Sequence, residues 1–308
     1  MNTSNLPKVV KDLMPKSSAL STMSPELKNR IWTALLGVAT LLLFIIFAGG
    51  IGMFIVQVVL SLAMIYEFGH MAYSLPDQKE KRYILLFATW FISLGSLVLA
   101  RSEYELLVFT FLSLFLYFLV TARRYGDAPG NIMGGATFDQ AAFSAHFKEL
   151  MYSLFGLFYL GFLPTFFLKI HGSANGVHWT MVFLLINWAS DTGAYFAGKK
   201  YGKTKLYPLI SPKKTREGAL GGLACAWGVT LIYKVLLFGA MGWGAVIIVP
   251  LLVGVASQTG DLCESFLKRA FDKKDSGSIL PGHGGFLDRF DGVVFSLPIM
   301  YACTRVFS

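Results

Sequence analysis

The sequence contains few charged residues and few cysteines. Only 15% of the 308 residues are charged, whereas 55% are hydrophobic, and the mean hydropathy is +0.57. A soluble domain of this length could not bury so much apolar surface, which excludes a soluble globular fold and predicts an integral membrane protein. The three cysteines, Cys225, Cys263 and Cys303, are too few and too scattered for a disulfide framework, so we expect small core residues rather than ligands.

The beginning of the chain lacks the order of a signal peptide. Residues 1–30 are polar and carry five basic residues, and the first apolar run comes late and has no small-residue cleavage site. We therefore expect 1–30 to be a cytoplasmic tail. Internal repeats and low-complexity tracts are also lacking from the sequence.

Long apolar runs occupy most of the remaining chain. The run at 31–66 is nearly twice the roughly 20 residues that one membrane span needs, and the glycines at 49, 50 and 52 provide a break. Further runs lie at 83–100, 106–121, 151–168, 179–197, 219–238, 243–257 and 292–306. We predict an all-α polytopic membrane protein with about nine transmembrane helices, and a short interfacial helix over 141–150.

The lysines and arginines are unevenly distributed between the two sides of such a fold. With the N-terminus in the cytoplasm, 23 of the 27 lie in the tail and in the loops 67–82, 122–150, 198–218 and 258–291. Because cytoplasmic loops carry an excess of basic residues, this asymmetry predicts that the polar loops are cytoplasmic. The net charge of +9 lies between hydrophobic runs, so we expect anionic lipid and nucleotide phosphates, and no nucleic acid, as partners.

Two apolar segments carry a polar stripe at helical spacing. The first comprises Asn187, Asp191, Ala194, Tyr195 and Gly198, and the second comprises Gly254, Ser257, Gln258, Asp261, Ser265, Lys268 and Asp272. An ionised aspartate in a membrane helix costs roughly 2.5 to 3.5 kcal/mol on insertion scales, so Asp191 should face protein or a water-filled cavity. The alternative is a structural aspartate bonded to asparagine or tyrosine.

The loop at 265–291 concentrates charges of both signs between two membrane segments. Its cations are Lys268, Arg269, Lys273, Lys274 and Arg289, and its acids are Asp272, Asp275, Asp288 and Asp291, with His283 among four glycines. Carboxylates hold hard divalent ions while lysine and arginine neutralise phosphate, so this composition suits a metal-bound polyphosphate. A solvated basic loop is the alternative.

The order of residues in this loop resembles the signature of the phosphatidate cytidylyltransferases. The matching positions are Ser265, Lys268, Arg269, Lys274, Asp275, Gly277, Pro281, His283, Gly284, Gly285, Asp288, Arg289 and Asp291. The basic loop 198–218, otherwise a plain connector, resembles the second loop of the same family at Gly202, Lys203, Lys205, Leu206, Pro208, Ile210, Ser211, Pro212, Lys214, Thr215, Glu217 and Gly218. Two independent loops make a specific signal, and the detailed match covers 187–291, about a third of the chain.

The resemblance implies a nucleotidyltransferase of phospholipid biosynthesis. Such an enzyme transfers CMP from CTP to phosphatidic acid, gives CDP-diacylglycerol and pyrophosphate, and uses Mg2+; a second metal ion is left open. The resemblance also implies a bacterial-type inner membrane, contact with membrane lipids, and a homodimer. We expect a cytoplasmic tail at 1–30, N-terminal transmembrane helices with their loops at 31–150, and a C-terminal transmembrane catalytic region at 151–308.

The resemblance also assigns roles to individual residues. The expected catalytic residues are Asp261, Asp288, Ser265, Lys268 and His283. Asp261 and Asp288 are the expected metal ligands, with Asp191 and Asp291 as further candidates. The residues expected to bind substrate are Lys203, Lys205, Ser211, Lys214, Thr215, Arg269, Lys274 and Arg289.

Two other functions share some of these features. A CTP-dependent polyprenol or phytol kinase has the same membrane setting and nucleotide. A secondary transporter of a phosphorylated solute also places polar residues at mid-membrane. The lack of an internal repeat and the cytoplasmic concentration of charge count against the transporter.

Overall fold

The computed structural model describes residues 25–75, 78–98, 103–122, 140–279 and 284–307. Its helices are α1 (Pro25–Phe47), α2 (Gly49–Ala72), α3 (Lys79–Val98), α4 (Glu103–Ala122), α5 (Gln140–Gly156), α6 (Phe166–His171), α7 (Gly176–Tyr201), α8 (Arg216–Leu236), α9 (Trp243–Ala270) and α10 (Leu287–Phe307). An antiparallel hairpin of β1 (Lys205–Tyr207) and β2 (Ser211–Thr215) connects α7 to α8. Of the predicted tail, 1–24 lies outside the described residues.

Seven helical segments of the described residues are long and apolar enough to cross a membrane. They are α2, α3, Tyr104–Ala122 in α4, the continuous stretch Gln140–His171 from α5 to α6, α8, α9 and α10. In addition, α1 contains the shorter apolar stretch Leu36–Phe47, and α7 is a 26-residue helix. The predicted all-α polytopic membrane architecture is confirmed, with the small β1–β2 hairpin as an addition, whereas nine as the number of spans stays a prediction.

The first two helices meet at the predicted glycine break. Helix α1 ends at Phe47, and Gly49, where α2 begins, has a φ of +57° that favours glycine. The loop predicted from residue 67 begins later, because α2 continues to Ala72. The last six residues of α2 are therefore helical, and their side chains can pack against other helices.

Helix α5 does not begin with a separate interfacial helix. Residues 141–150 are the first part of α5, which continues through a π-helical turn at Leu157–Phe162 and a 3-10 turn at Leu163–Thr165 into α6. Pro164 lacks a backbone N–H and its ring would clash with the carbonyl four residues earlier in a regular helix. The π-helical turn accommodates this change without ending the helical segment.

Helices α7 and α8 are packed closely along a seam of small residues. A Cβ atom at Gly221 would lie 2.2 Å from the Cβ of Ala197, so the two backbones approach at a distance that only glycine permits. Small residues allow such close van der Waals packing between membrane helices. Cys225 lines this seam and is exposed, and Cys263 is half-buried, so the expected core location holds only for Cys303.

A second close approach joins α9 to α10. A Cβ atom at Gly260 would lie 2.7 Å from the carbonyl oxygen of Asp291, and one at Gly292 would lie 2.7 Å from the Oγ of Ser257. These two glycines hold the helices together where both helices carry carboxylates. Asp261 and Asp291 are sequence neighbours of the two glycines and are therefore brought to the same place.

Two amide side chains, the half-buried Gln258 and the buried Asn187, tie the last four long helices together. The Nε2 of Gln258 in α9 donates to the carbonyl of Ala219 in α8 at 3.0 Å and to the Oγ of Ser190 in α7 at 3.3 Å. The Oγ of Ser296 in α10 donates to the Oδ1 of Asn187 in α7 at 3.3 Å. Hydrogen bonds of this kind satisfy polar groups that membrane lipid cannot satisfy, and they orient the polar faces of the four helices toward one another.

The hairpin is attached to the start of α8 by side-chain caps. The carboxylate of Glu217 accepts hydrogen bonds from the backbone N–H groups of Lys203 and Thr204, at 3.1 Å each. Thr215 is the N-cap of α8, and its Oγ1 accepts from the backbone N–H of Gly218 at 3.1 Å. These contacts fix the basic hairpin over the ends of α7 and α8.

Candidate active site

A cavity of about 530 Å3 whose lining contains many charged side chains lies between the ends of α7 to α10 and the hairpin. Four carboxylates line it, one from α7, one from α9 and two from α10: Asp191, Asp261, Asp288 and Asp291. These are the four carboxylates that the sequence analysis names as candidate metal ligands. The structure thus brings together residues up to 100 positions apart in the chain.

Three of these acids influence one another electrostatically. Asp191 and Asp291 each interact with Asp261 and with each other. Carboxylates in a shared, partly dehydrated cavity repel one another, so their ionised forms need nearby cations. Because Asn187 bonds to Ser296 and to the carbonyl of Phe183, the geometry favours a cavity-facing Asp191 over an aspartate bonded to that asparagine.

Four cationic side chains share the cavity wall with the acids: Lys199, Lys213, Lys214 and Arg289. The ammonium group of Lys214 forms an ion pair with Asp261, which joins β2 to α9. Lys214 and Arg289 were expected to bind substrate, whereas the sequence analysis did not single out Lys199 or Lys213. A single sequence does not separate Lys213 from the other lysines of the basic loop, because the fold of the hairpin decides which of them reach the cavity.

The remaining expected substrate-binding residues have different positions. Thr215 lines the cavity as the cap of α8, and Ser211 pairs with Tyr207 across the hairpin. Four expected substrate-binding residues are exposed and lie outside the cavity lining: Lys203, Lys205, Arg269 and Lys274. The expected catalytic Ser265 is half-buried outside the lining, and His283 lies outside the described residues. Their roles stay predictions.

Asp288 is the centre of a hydrogen-bond network at the cavity edge. Its Oδ1 accepts from the Nζ of Lys268 at 2.6 Å, and its Oδ2 accepts from the backbone N–H and the hydroxyl of Ser276 and from the backbone N–H of Gly285, at 3.0 Å each. Lys268 also forms an ion pair of 2.7 Å with Glu264. The expected catalytic Lys268 therefore lies between two carboxylates and joins α9, the loop and α10.

Two buried acids of this network were not found from the sequence. Glu264 is 1% exposed and faces Lys268, and Glu67 of α2 is 2% exposed and accepts hydrogen bonds from the loop before α10. The spacing of Glu264 to Lys268, four residues apart on one helix, is a signal that could have identified the first. Glu67 directly follows the apolar run 31–66, so the sequence pattern places it in the predicted loop 67–82.

The carboxylate oxygens that line the cavity are suitable ligands for a hard divalent cation. Carboxylate oxygens are the ligands that Mg2+ uses in proteins, usually one or two of them together with water and substrate phosphates. Among the described residues, no three His, Cys, Asp or Glu side chains are gathered closely enough to hold a metal ion by themselves. A site with one or two protein carboxylates and substrate oxygens agrees with both observations.

The fold and the cavity define a polytopic helical membrane protein with a site of mixed acidic and basic side chains. Residues 28–307 match the sequence model of the Cytidylyltransferase family. The chain belongs to this family and is a nucleotidyltransferase.

Relatives of this chain in several bacteria carry the name phosphatidate cytidylyltransferase. The protein of Brucella suis biovar 1 (strain 1330) is 33% identical over 285 residues, which cover 92% of this chain and 95% of the relative. The protein of Bacillus subtilis (strain 168) is 39% identical over 163 residues, covering 53% of this chain and 61% of the relative. The protein of Staphylococcus aureus (strain COL) is 44% identical over 154 residues, covering 50% and 58%.

Proposed function

We propose that the protein is a phosphatidate cytidylyltransferase, which uses CTP and phosphatidic acid to make CDP-diacylglycerol and pyrophosphate. The family membership and the names of the relatives support this reaction. The single observation that carries it in the structure is the cavity in which four carboxylates face four cations at the ends of membrane helices. Such a site can receive two anionic substrates, one of them a lipid.

The reaction joins two anions, so neutralisation of charge is its main requirement. In the proposal, Lys199, Lys213 and Arg289 pair with phosphate oxygens in the cavity. Lys214 is already paired with Asp261 and reaches a phosphate when that ion pair opens. Asp261 and Asp288 would hold Mg2+, with Asp191 and Asp291 on the same wall, and the ion would supply the remaining positive charge for the triphosphate and the leaving pyrophosphate.

The chemical step in this proposal is a direct in-line displacement. A phosphate oxygen of phosphatidic acid bonds to the α-phosphorus of CTP, and the bond from that phosphorus to the bridging oxygen of pyrophosphate breaks. The lipid phosphate is close to a dianion at neutral pH and needs no base for activation. Lys268 is held by two carboxylates and Ser265 lies outside the cavity lining, which supports a mechanism without a covalent enzyme intermediate.

We also propose the orientation and setting of the protein. The cavity faces the cytoplasm of a bacterial-type inner membrane, with the N-terminus on the same side, as the distribution of lysine and arginine supports. Single cysteines placed at Lys203 or Lys274, in a chain freed of its three natural cysteines, should be labelled only from the cytoplasmic side. Labelling only from the outside would reverse the orientation. The homodimer remains a proposal that comes from the family resemblance.

The function is tested by offering the purified protein labelled CTP, Mg2+ and a lipid acceptor in detergent. CTP labelled in the α-phosphate should give a labelled CDP-lipid with phosphatidic acid, and Asp261→Asn is the matched inactive control. Transfer of a γ-phosphate label to a polyprenol would instead identify the CTP-dependent kinase. Absence of both products, with protein that is folded, would refute the proposal.

A further inference from the structure

Glu67 is a buried carboxylate far in sequence from the residues it contacts. It lies in α2, is 2% exposed, and is separated by 209 positions from Ser276. Its Oε2 accepts from the Oγ of Ser276 at 3.0 Å and from the backbone N–H of Leu287 at 2.9 Å, and its Oε1 accepts a longer bond from the backbone N–H of Ile279 at 3.4 Å. A buried acid is costly unless it is hydrogen-bonded in this way.

The donors to Glu67 come from both sides of the loop that precedes α10. Ser276 and Ile279 belong to the first part of the loop, and Leu287 is the first residue of α10. The loop also approaches Glu67 very closely, since a Cβ atom at Gly277 would lie 2.5 Å from its Oε1. Glu67 therefore attaches the loop and the beginning of α10 to α2.

The hydroxyl of Ser276 connects this attachment to the cavity. Its Oγ lies 3.0 Å from the Oε2 of Glu67 and 3.0 Å from the Oδ2 of Asp288. A serine hydroxyl has a single proton, so it donates to one of the two carboxylates at a time. A loss of Glu67 would thus change both the position of the loop and the hydrogen bonding of Asp288.

We propose that Glu67 is a positioning residue for the active site. It holds Ser276 and the beginning of α10 in place, and thereby sets the carboxylate of Asp288 at the cavity. That Asp288 serves cytidylyl transfer rests on the proposed function, whereas the attachment of the loop does not. The N-terminal region then contributes to the site, in addition to the predicted catalytic region 151–308.

The first test measures the attachment without any reaction. In full-length protein in detergent, Glu67→Ala should increase hydrogen–deuterium exchange of the amides of Ile279 and Leu287, which lose their acceptor. Glu80→Ala is the matched control, because Glu80 is an exposed carboxylate in the first turn of α3, and it should leave the exchange unchanged. Unchanged exchange in folded Glu67→Ala would overturn the proposal. If that variant does not fold, Glu67→Met, which fills a similar volume but has no oxygen acceptor, replaces it, and the same increase in exchange is expected.

The second test separates positioning from general stability. In Glu67→Gln the kcat of the folded enzyme should fall about tenfold or more, as is usual when a catalytic group is displaced. The KM for CTP should rise by a smaller factor than kcat falls, because the hairpin lysines do not depend on Glu67, whereas Asp288 and Arg289 of α10 do. Ser276→Ala should also lower kcat, and the effect of the double variant should be smaller than the sum of the two single effects, because the two residues share the hydroxyl of Ser276.

The outcomes also distinguish this proposal from the proposed function. An unchanged kcat in folded Glu67→Gln, with active wild type, would overturn positioning alone. A wild type that makes no CDP-lipid would remove the proposed function, and the exchange experiment would still decide whether Glu67 holds the loop.

Discussion

Removal of the Lys268 side-chain charge should destabilise the protein more than it weakens nucleotide binding. The Nζ of Lys268 lies 2.7 Å from Glu264 and 2.6 Å from Asp288, and the three side chains are 14%, 1% and 14% exposed. Lys268→Met leaves the buried carboxylate of Glu264 and the half-buried carboxylate of Asp288 without their shared cation. Breaking a buried ion pair by removing one partner costs about 3 to 5 kcal/mol. We expect a loss near the lower value, about 3 kcal/mol, because Asp288 keeps the backbone N–H donors of Ser276 and Gly285.

The loss can be measured by equilibrium unfolding in mixed micelles with increasing sodium dodecyl sulfate, followed by circular dichroism. Lys273→Met is the matched control, since Lys273 is exposed in the loop that follows α9 and should change the free energy of unfolding by less than about 0.5 kcal/mol. The double variant Lys268→Met/Glu264→Gln should recover part of the stability, because one of the two unpaired charges is gone.

The opposite pattern would refute this reasoning. If Lys268→Met kept the stability of the wild type and instead raised the KM for CTP strongly, Lys268 would bind a substrate phosphate rather than hold the two carboxylates. Full stability in the single variant would also show that Glu264 and Asp288 do not depend on the ammonium group.

Three further predictions concern the cavity and the reaction. Asp261→Asn and Asp288→Asn should each remove nearly all turnover while the protein remains folded; near-normal activity of either at saturating Mg2+ would remove that residue from the metal site. Gly260→Ala should lower the free energy of unfolding by about 1 to 3 kcal/mol through overpacking against α10, measured by the same micelle titration, and wild-type stability would show that α9 and α10 can separate there. Labelled pyrophosphate should not exchange into CTP without lipid, and rapid exchange would require a cytidylyl-enzyme in place of direct attack.

Helical periodicity predicted the polar faces well. The period of 3.6 residues groups Asp191, Tyr195 and Gly198 on one face of α7, and all three line the cavity. The same period groups Gln258 with Asp261 on α9, and both line it as well. Ser265 belongs by its spacing to the same polar face of α9 but lies outside the cavity lining, because the cavity does not extend to the helical turn that contains Ser265.

The loops were less predictable than the helices. Lys203, Lys205, Lys213 and Lys214 all lie in one basic stretch, yet only the last two line the cavity. The difference depends on the hairpin and on its attachment through Glu217. Neither feature is visible in the charge pattern of a loop between two membrane segments.

The membrane architecture, the polar helix faces and the family could be inferred from the sequence, because apolar runs, helical period and loop motifs are local properties of the chain. The hydrogen-bond and ion-pair partners of the acidic side chains, in contrast, depend on the tertiary structure. Glu67 meets Ser276 across 209 positions, and Lys268 meets Asp288 across 20. These contacts depend on how α2, α9 and α10 pack around one loop, and close approaches such as that of Gly260 to α10 set that packing.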